Sequence, residues 1–256
     1  MINILIVGGG RSGERFISSY IFDREINLTV AGFSKRNKTR PLAEKYRIPY
    51  VEFDELDDLS LFDVIILSIP YEIRKYCISI IAQLRFEGKM IVEKPFATNL
   101  DDYYWMVDAL KNIPFCVPFS RRYDSRYEIK IDDVVCIKWP IDSYREVNIF
   151  RDLVPHCIDW ILSGLQQEIR KIDVLYANEK YYKFQINDIT VELVFCCGEA
   201  DRVTLNDVEY PWIDLYKVNN RLLAELTNQD FNNTKLVKNL YYSSRIMEEL
   251  LKKCVF

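Results

Sequence analysis

A short apolar run, Asn3-Ile-Leu-Ile-Val7, leads straight into Gly8-Gly-Gly-Arg-Ser-Gly13 and then into Glu14-Arg-Phe-Ile-Ser-Ser-Tyr20. No other stretch constrains the fold as strongly. The chain has eight glycines in 256 residues, and four of them fall between positions 8 and 13. Gly8, Gly10 and Gly13 satisfy the spacing G-x-G-x-x-G after an expected strand and at the opening of an expected helix. Each has a mechanical reason: Gly8 allows a tight turn, Gly10 lets a pyrophosphate approach the backbone, and Gly13 lets helix and strand pack closely. The helix N-terminus then offers free N–H groups to the phosphates.

The first half continues the alternation begun there. Apolar runs in "NLTVAGF", "FDVIILSIP", "GKMIVEKP" and "PFCVPF" are separated by helical patterns in "RPLAEKY", "EIRKYCISIIAQL" and "NLDDYYWMVDALK". Val64 to Leu67 is apolar at every position, which suits a parallel strand covered on both faces. The pattern is that of a doubly wound α/β sheet. Asn99 supplies N-cap chemistry for the helix that follows it. After about Pro118 the texture changes. In "ITVELVF", Val191, Leu193 and Phe195 share one face while Thr190 and Glu192 take the other, and "KIDVLYANEKYYKFQIND" reads as two strands joined near Asn178. These are antiparallel signatures, with an apolar helix "LVPHCIDWIL" before them and a polar helical tail after. The expected architecture is an N-terminal doubly wound domain over residues 1–118 and a smaller α+β domain with a mainly antiparallel open sheet over 119–256.

Composition narrows the function classes. A formal net charge of -4, with no run of Lys or Arg, gives no electrostatic footprint for nucleic acid. The start lacks a basic n-region and no segment approaches the roughly 20 apolar residues of a membrane span, so a cytoplasmic protein is expected. The seven cysteines form no C-x-x-C and read as buried thiols of a reducing compartment. One histidine and scattered acids make no recognisable metal spacing.

An NAD site wants an acidic residue about 20 residues beyond the glycines, to bind the ribose 2′-OH. This chain offers Ser34, Lys35 and Arg36 instead. A hydroxyl and two cations suit a 2′-phosphate, so NADP(H) is preferred and NAD(H) remains possible; the competing reading is a solvated charged loop. Arg11 fits the same picture, leaning across the adenine or reaching the 2′-phosphate.

Four further stretches, "GKMIVEKPFATNL", "LSIPYEIRKYC", "PFSRRYDSRY" and "DLVPHCID", together with the glycine motif, resemble the glucose–fructose oxidoreductase and inositol dehydrogenase family (Gfo/Idh/MocA). The resemblance runs from Met1 to about Trp160 and implies a Rossmann domain whose E-K-P element, Glu93-Lys94-Pro95, places Lys94 at nicotinamide ribose and substrate. It implies hydride transfer between nicotinamide and a carbon bearing oxygen or nitrogen. Lys94, His156 and Asp152 are then the expected catalytic groups, the sole histidine being the natural proton carrier and Asp152, at i-4, its orienter or a substrate contact. Ser12, Ser68, Pro70 and Glu93 complete the expected cofactor set. Arg121, Arg122, Tyr123 and Asp159 are the expected substrate contacts, an arginine binding an anionic group bidentately; an interdomain salt bridge is the alternative for the arginines.

Arg74 stands where the family often has His, Val154 replaces the Gly of the His motif, and Arg126 to Phe150 is a short stretch, which makes this an unusually short member. Sugars, polyols and nucleotide-linked keto-sugars are the family's commonest substrates. An imine or conjugated-system reductase, or a non-catalytic NADP-binding sensor or scaffold, are the other readings kept open. The second face of the antiparallel sheet is expected to pack against its copy in a homodimer or higher homo-oligomer.

Overall fold

The structure is a computed structural model that describes residues 1–33, 39–127, 129, 131, 133–141, 148–165, 167–197, 202–211 and 213–253. The opening apolar run forms β1 (Ile2–Val7), and Gly8 turns the chain into α1 (Arg11–Tyr20). The alternation then runs β2 (Ile26–Gly32), α2 (Arg40–Tyr46), β3 (Tyr50–Glu52), β4 (Val64–Leu67), α3 (Tyr71–Gln83), β5 (Lys89–Val92), α4 (Leu100–Ala109) and β6 (Phe115–Cys116). These strands make one sheet in the order β3-β2-β1-β4-β5-β6, parallel at every pairing. The order reverses between β1 and β4, and ligands of such sheets bind outside the strand C-termini at that switch point. All four residues of β4 are fully buried, the reason its sequence has no polar alternation. The Asn99 side chain accepts from the Asp102 amide at 2.8 Å, capping α4.

The remaining elements are β7 (Val134–Ile141), α5 (Ile149–Asp152), α6 (Val154–Gly164), β8 (Ile172–Ala177), β9 (Tyr181–Ile186), β10 (Ile189–Cys197), β11 (Thr204–Leu205), β12 (Val208–Glu209), α7 (Leu215–Thr227) and α8 (Thr234–Lys253). A second six-stranded sheet has the order β12-β11-β7-β10-β9-β8, antiparallel except where β7 meets β10. Val191, Leu193 and Phe195 of β10 and Tyr182, Phe184 and Ile186 of β9 share one buried face. They join Cys157, Ile158 and Ile161 of α6 and Ile246, Met247 and Leu250 of α8 in a single core. Asn178 makes the β8–β9 turn, its carboxamide oxygen accepting from the Lys180 and Tyr181 amides.

The chain forms two compact units, one of residues 1–93, 104–118 and 214–235, the other of 94–103, 119–213 and 236–256. The break after Pro118 is therefore one of several. Helix α7, from the second half of the sequence, belongs to the first unit, where Val218, Leu222 and Leu226 are buried. The Tyr20 hydroxyl donates to the Asn219 carbonyl at 2.8 Å, and Lys89 Nζ donates to the carbonyls of Leu226 at 2.8 Å and Asn228 at 3.1 Å, closing the end of α7.

Candidate functional site

The glycine turn holds three glycines that the fold itself requires and one that it does not. At Gly8 φ is +106°, and a Cβ would lie 2.2 Å from the Ser68 carbonyl oxygen. A Cβ on Gly9 would lie 2.7 Å from Thr39 Cα, and one on Gly13 2.1 Å from the Gly8 carbonyl oxygen. Packing alone demands these glycines. Gly10 has φ −75° and ψ −176°, which any residue adopts, and a Cβ there meets nothing within 4 Å. No described residue excludes a side chain at Gly10; a ligand drawn close to the backbone would.

Two more features surround this turn. Gly10 is the N-cap of α1 and provides no side-chain hydrogen bond, so it leaves the first amides of the helix uncapped among the described residues. Ser68, just past β4, is 8% exposed, and its buried Oγ has no hydrogen-bond partner among the described residues. An orphaned buried hydroxyl costs about 1–3 kcal/mol unless a ligand completes it. Ser12 Oγ donates to Glu93 Oε1, tying the turn to the end of β5. Pro70 is exposed as the N-cap of α3. Arg11 is exposed and lines an open groove of about 360 Å³ with Arg15, Tyr46 and Tyr216. Ser34, Lys35 and Arg36 lie outside the described residues. Arg74 is 1% exposed, its guanidinium 5.4 Å from the Tyr71 ring centre. Burial pulls its pKa down to about 10, against the attraction of Glu93, so it remains a cation at neutral pH. The open glycine, the free amides and the orphaned hydroxyl fit a dinucleotide.

The second unit holds the expected catalytic groups. Chain continuity puts Lys94 directly after Glu93, and its Nζ donates to the Asp152 carbonyl at 3.0 Å and to Asp152 Oδ1 at 3.4 Å. Lys94 is 17% exposed and Asp152 49%. The expectation that Asp152 precedes His156 on one helix needs correction. Asp152 ends α5, Leu153 breaks the helix, and His156 lies in the first turn of α6. The cause is Pro155, which has no N–H to continue the helical bonding from α5. Among the described residues the Asp152 carboxylate pairs with Lys94, and no bond from it orients the imidazole.

His156 is partly buried between two rings, Phe119 edge-on at 6.1 Å and Trp139 tilted by 31° at 6.1 Å. Trp139 was not among the expected site residues; its only sequence signal is its place in the alternating strand β7. At Arg122 the structure shows a salt bridge. Arg122 Nε donates to both Asp159 oxygens at 2.8 Å and its Nη2 to Oδ1. Asp159 is 2% exposed and the Arg122 side chain 15%, so the pair is a largely internal strut in which the carboxylate is taken up by Arg122. Burial pushes the Asp159 carboxyl up, against the pull of Arg122 and Arg121. Arg121 is 7% exposed and caged by Trp139 at 4.0 Å, Tyr127 at 5.2 Å and Trp160 at 5.3 Å from its guanidinium carbon. Its Nε has no hydrogen-bond partner among the described residues. Tyr123 is partly exposed at the end of the same short 3₁₀ turn.

Of the cysteines, Cys77, Cys116 and Cys157 are buried free thiols; burial pushes Cys77 and Cys157 up to about 12, so they stay protonated. Among the described residues no group of His, Cys, Asp and Glu could hold a metal ion, and no helix is long and apolar enough to cross a membrane.

Residues 2–115 match the model of an oxidoreductase family with an NAD-binding Rossmann fold, GFO_IDH_MocA. No curated protein matches the chain by sequence. Among solved structures, scyllo-inositol dehydrogenase from Lactobacillus casei, with bound NAD(H) and scyllo-inositol, aligns with TM-score 0.75 and 15% identity, covering 99% of this chain and 97% of its own. Myo-inositol dehydrogenase from Corynebacterium glutamicum aligns with TM-score 0.75 and 13% identity over 99% and 96%. A dehydrogenase (MviM) from Clostridium difficile aligns with TM-score 0.70 and 15% identity over 98% and 99%. At such identities the structures establish shared architecture, and the family match rests on the first sheet and its glycine turn. That match makes residues 2–115 similar to the NAD-binding Rossmann fold of the Gfo/Idh/MocA oxidoreductases.

Proposed function

We propose that the chain transfers a hydride between NADP(H) and a small carbonyl or hydroxyl compound of the sugar, polyol or nucleotide-linked keto-sugar class. The observation that carries the dinucleotide part is Gly10, a glycine with ordinary backbone angles and open space where its side chain would be. The orphaned Ser68 hydroxyl and the uncapped start of α1 support it. When bound, the nicotinamide supplies the hydride chemistry.

The chain's own groups would handle the proton. Lys94 Nζ, held by two contacts to Asp152, would donate a hydrogen bond to a substrate oxygen as charge develops on it. His156, the only histidine, takes or returns the proton. The preference for a 2′-phosphate rests on the composition of Ser34, Lys35 and Arg36, with Arg11 exposed beside the turn. The sugar-like substrate class is suggested by the inositol dehydrogenases that share the architecture.

Calorimetric titration with NADPH and NADH in one buffer tests this reading. Tight NADPH and weak NADH binding is expected. Preference for NADH would overturn the 2′-phosphate assignment alone, and failure of both to bind would overturn the function.

A further inference from the structure

At the C-terminal end of β2 three side chains form one cluster. β3 lies beside β2, with Glu52 opposite Gly32 in register. Arg40 Nη2 donates to Glu52 Oε1 at 3.0 Å, and the Tyr50 hydroxyl donates to Glu52 Oε2 at 2.8 Å. The Arg40 guanidinium carbon also lies 4.6 Å from the centre of the Tyr50 ring. Burial, with the bond to Glu52, pushes the Tyr50 hydroxyl up to about 12, so it stays a donor. The cluster adjoins the glycine turn through Thr39, the residue before Arg40. A Cβ on Gly9 would lie 2.7 Å from Thr39 Cα, and one on Gly32 would lie 2.9 Å from Thr39 Cβ and 2.8 Å from the Tyr50 hydroxyl.

In a doubly wound sheet the adenosine ribose of a dinucleotide lies near the end of the second strand, where an acid accepts from the 2′-OH or an arginine accommodates a 2′-phosphate. β2 itself, ending in Ala31 and Gly32, supplies neither. The tertiary structure brings one of each to that end. The carboxylate is already engaged: the Glu52 side chain is 15% exposed, with one oxygen held by Arg40 and the other by Tyr50. The guanidinium is open to solvent. The Arg40 side chain is 49% exposed, and Glu52 takes one nitrogen of a fork that carries five N–H donors. The Tyr50 ring supports the guanidinium, which restricts the fork before any ligand arrives.

We propose that Arg40 is a specificity-determining residue for the cofactor, its guanidinium receiving the 2′-phosphate of NADP(H) while Glu52 and Tyr50 hold it at the end of β2. The assignment rests on the dinucleotide reading of the glycine turn. Glu52 then does the opposite of the acid in an NAD site: it fixes a cation in place of accepting from a ribose hydroxyl. Local sequence does not record this, because Arg40 opens α2 and both of its partners come from β3.

The test is calorimetric titration of the full-length protein with NADPH and with NADH, in wild type, Arg40→Met and Arg40→Lys. Arg40→Met should weaken NADPH about tenfold and leave NADH, which has no 2′-phosphate, within about twofold. Arg40→Lys keeps the charge and loses the planar fork, so NADPH should weaken by about threefold. An arginine that served only as a strut for Glu52 would leave the ratio of the two affinities at its wild-type value.

An unchanged ratio in Arg40→Met overturns the proposal; where wild type prefers NADPH, the functional reading stands and the 2′-phosphate is held elsewhere. Wild type preferring NADH overturns the proposal together with the 2′-phosphate assignment. Wild type binding neither cofactor overturns the functional reading, and the proposal falls with it.

Discussion

Gly8 and Gly10 are the same residue type answering two different demands, and substitution separates them. Gly8→Ala forces a positive φ and a clash with the Ser68 carbonyl, and should cost about 2 kcal/mol or more of stability in urea unfolding. Gly10→Ala meets no atom of a described residue within 4 Å; stability should hold within about 0.5 kcal/mol while cofactor affinity in calorimetry falls about tenfold, a loss of roughly 1.4 kcal/mol. Unchanged affinity in Gly10→Ala would remove the main support for the dinucleotide site. Lys94→Ala and His156→Ala should abolish turnover in a spectrophotometric assay and leave NADPH affinity within about threefold, since neither belongs to the phosphate-binding turn. The glycines were legible because their spacing has one mechanical meaning. Ser68 was legible only as a position, because an unmet hydroxyl depends on every atom around it.

At the scale of elements, one residue and one ion pair shape the second unit. Pro155 separates α5 from α6, so the i, i-4 spacing of Asp152 and His156 does not make them stacked neighbours on one helix. The Arg122–Asp159 pair joins the 3₁₀ turn at Ser120–Tyr123 to α6. Asp159→Ala leaves a buried guanidinium uncompensated and should cost about 3–5 kcal/mol in urea unfolding; a loss below about 1 kcal/mol would show that water reaches the pair. Sequence reading offered Asp159 to a substrate and left Arg122 between a substrate contact and a salt bridge, because two charges 37 positions apart carry no sign that they meet. Helix α7 was missed for a related reason. Its signals are present, Asp214 capping the Lys217 amide and Val218, Leu222 and Leu226 at helical spacing, but they lie beyond the stretch where the alternation could be followed.

At the scale of the molecule, the chain returns to its first unit after building most of the second. A fragment ending at Pro118 lacks α7 and bares the surface that Leu222 and Leu226 cover; it should show weak, non-cooperative unfolding by circular dichroism, and Leu222→Ala in the full chain should cost about 2–4 kcal/mol. Self-association through the open face of the second sheet is a further expectation of our functional reading. That face carries Lys183 and Glu192, paired at 2.7 Å, and half-buried Tyr181 and Gln185. Sedimentation showing a monomer at working concentration would dismiss it.

The local pattern was sufficient for the parallel sheet, the glycine turn and the mainly antiparallel second sheet, because strand burial and turn geometry are written in neighbouring residues. Only the tertiary structure decided that Arg122 is bound to Asp159, that Arg121 lies in a cage of rings, and that α7 completes the first unit. Those outcomes depend on which distant side chains compete for the same buried space, and no run of adjacent residues records that competition.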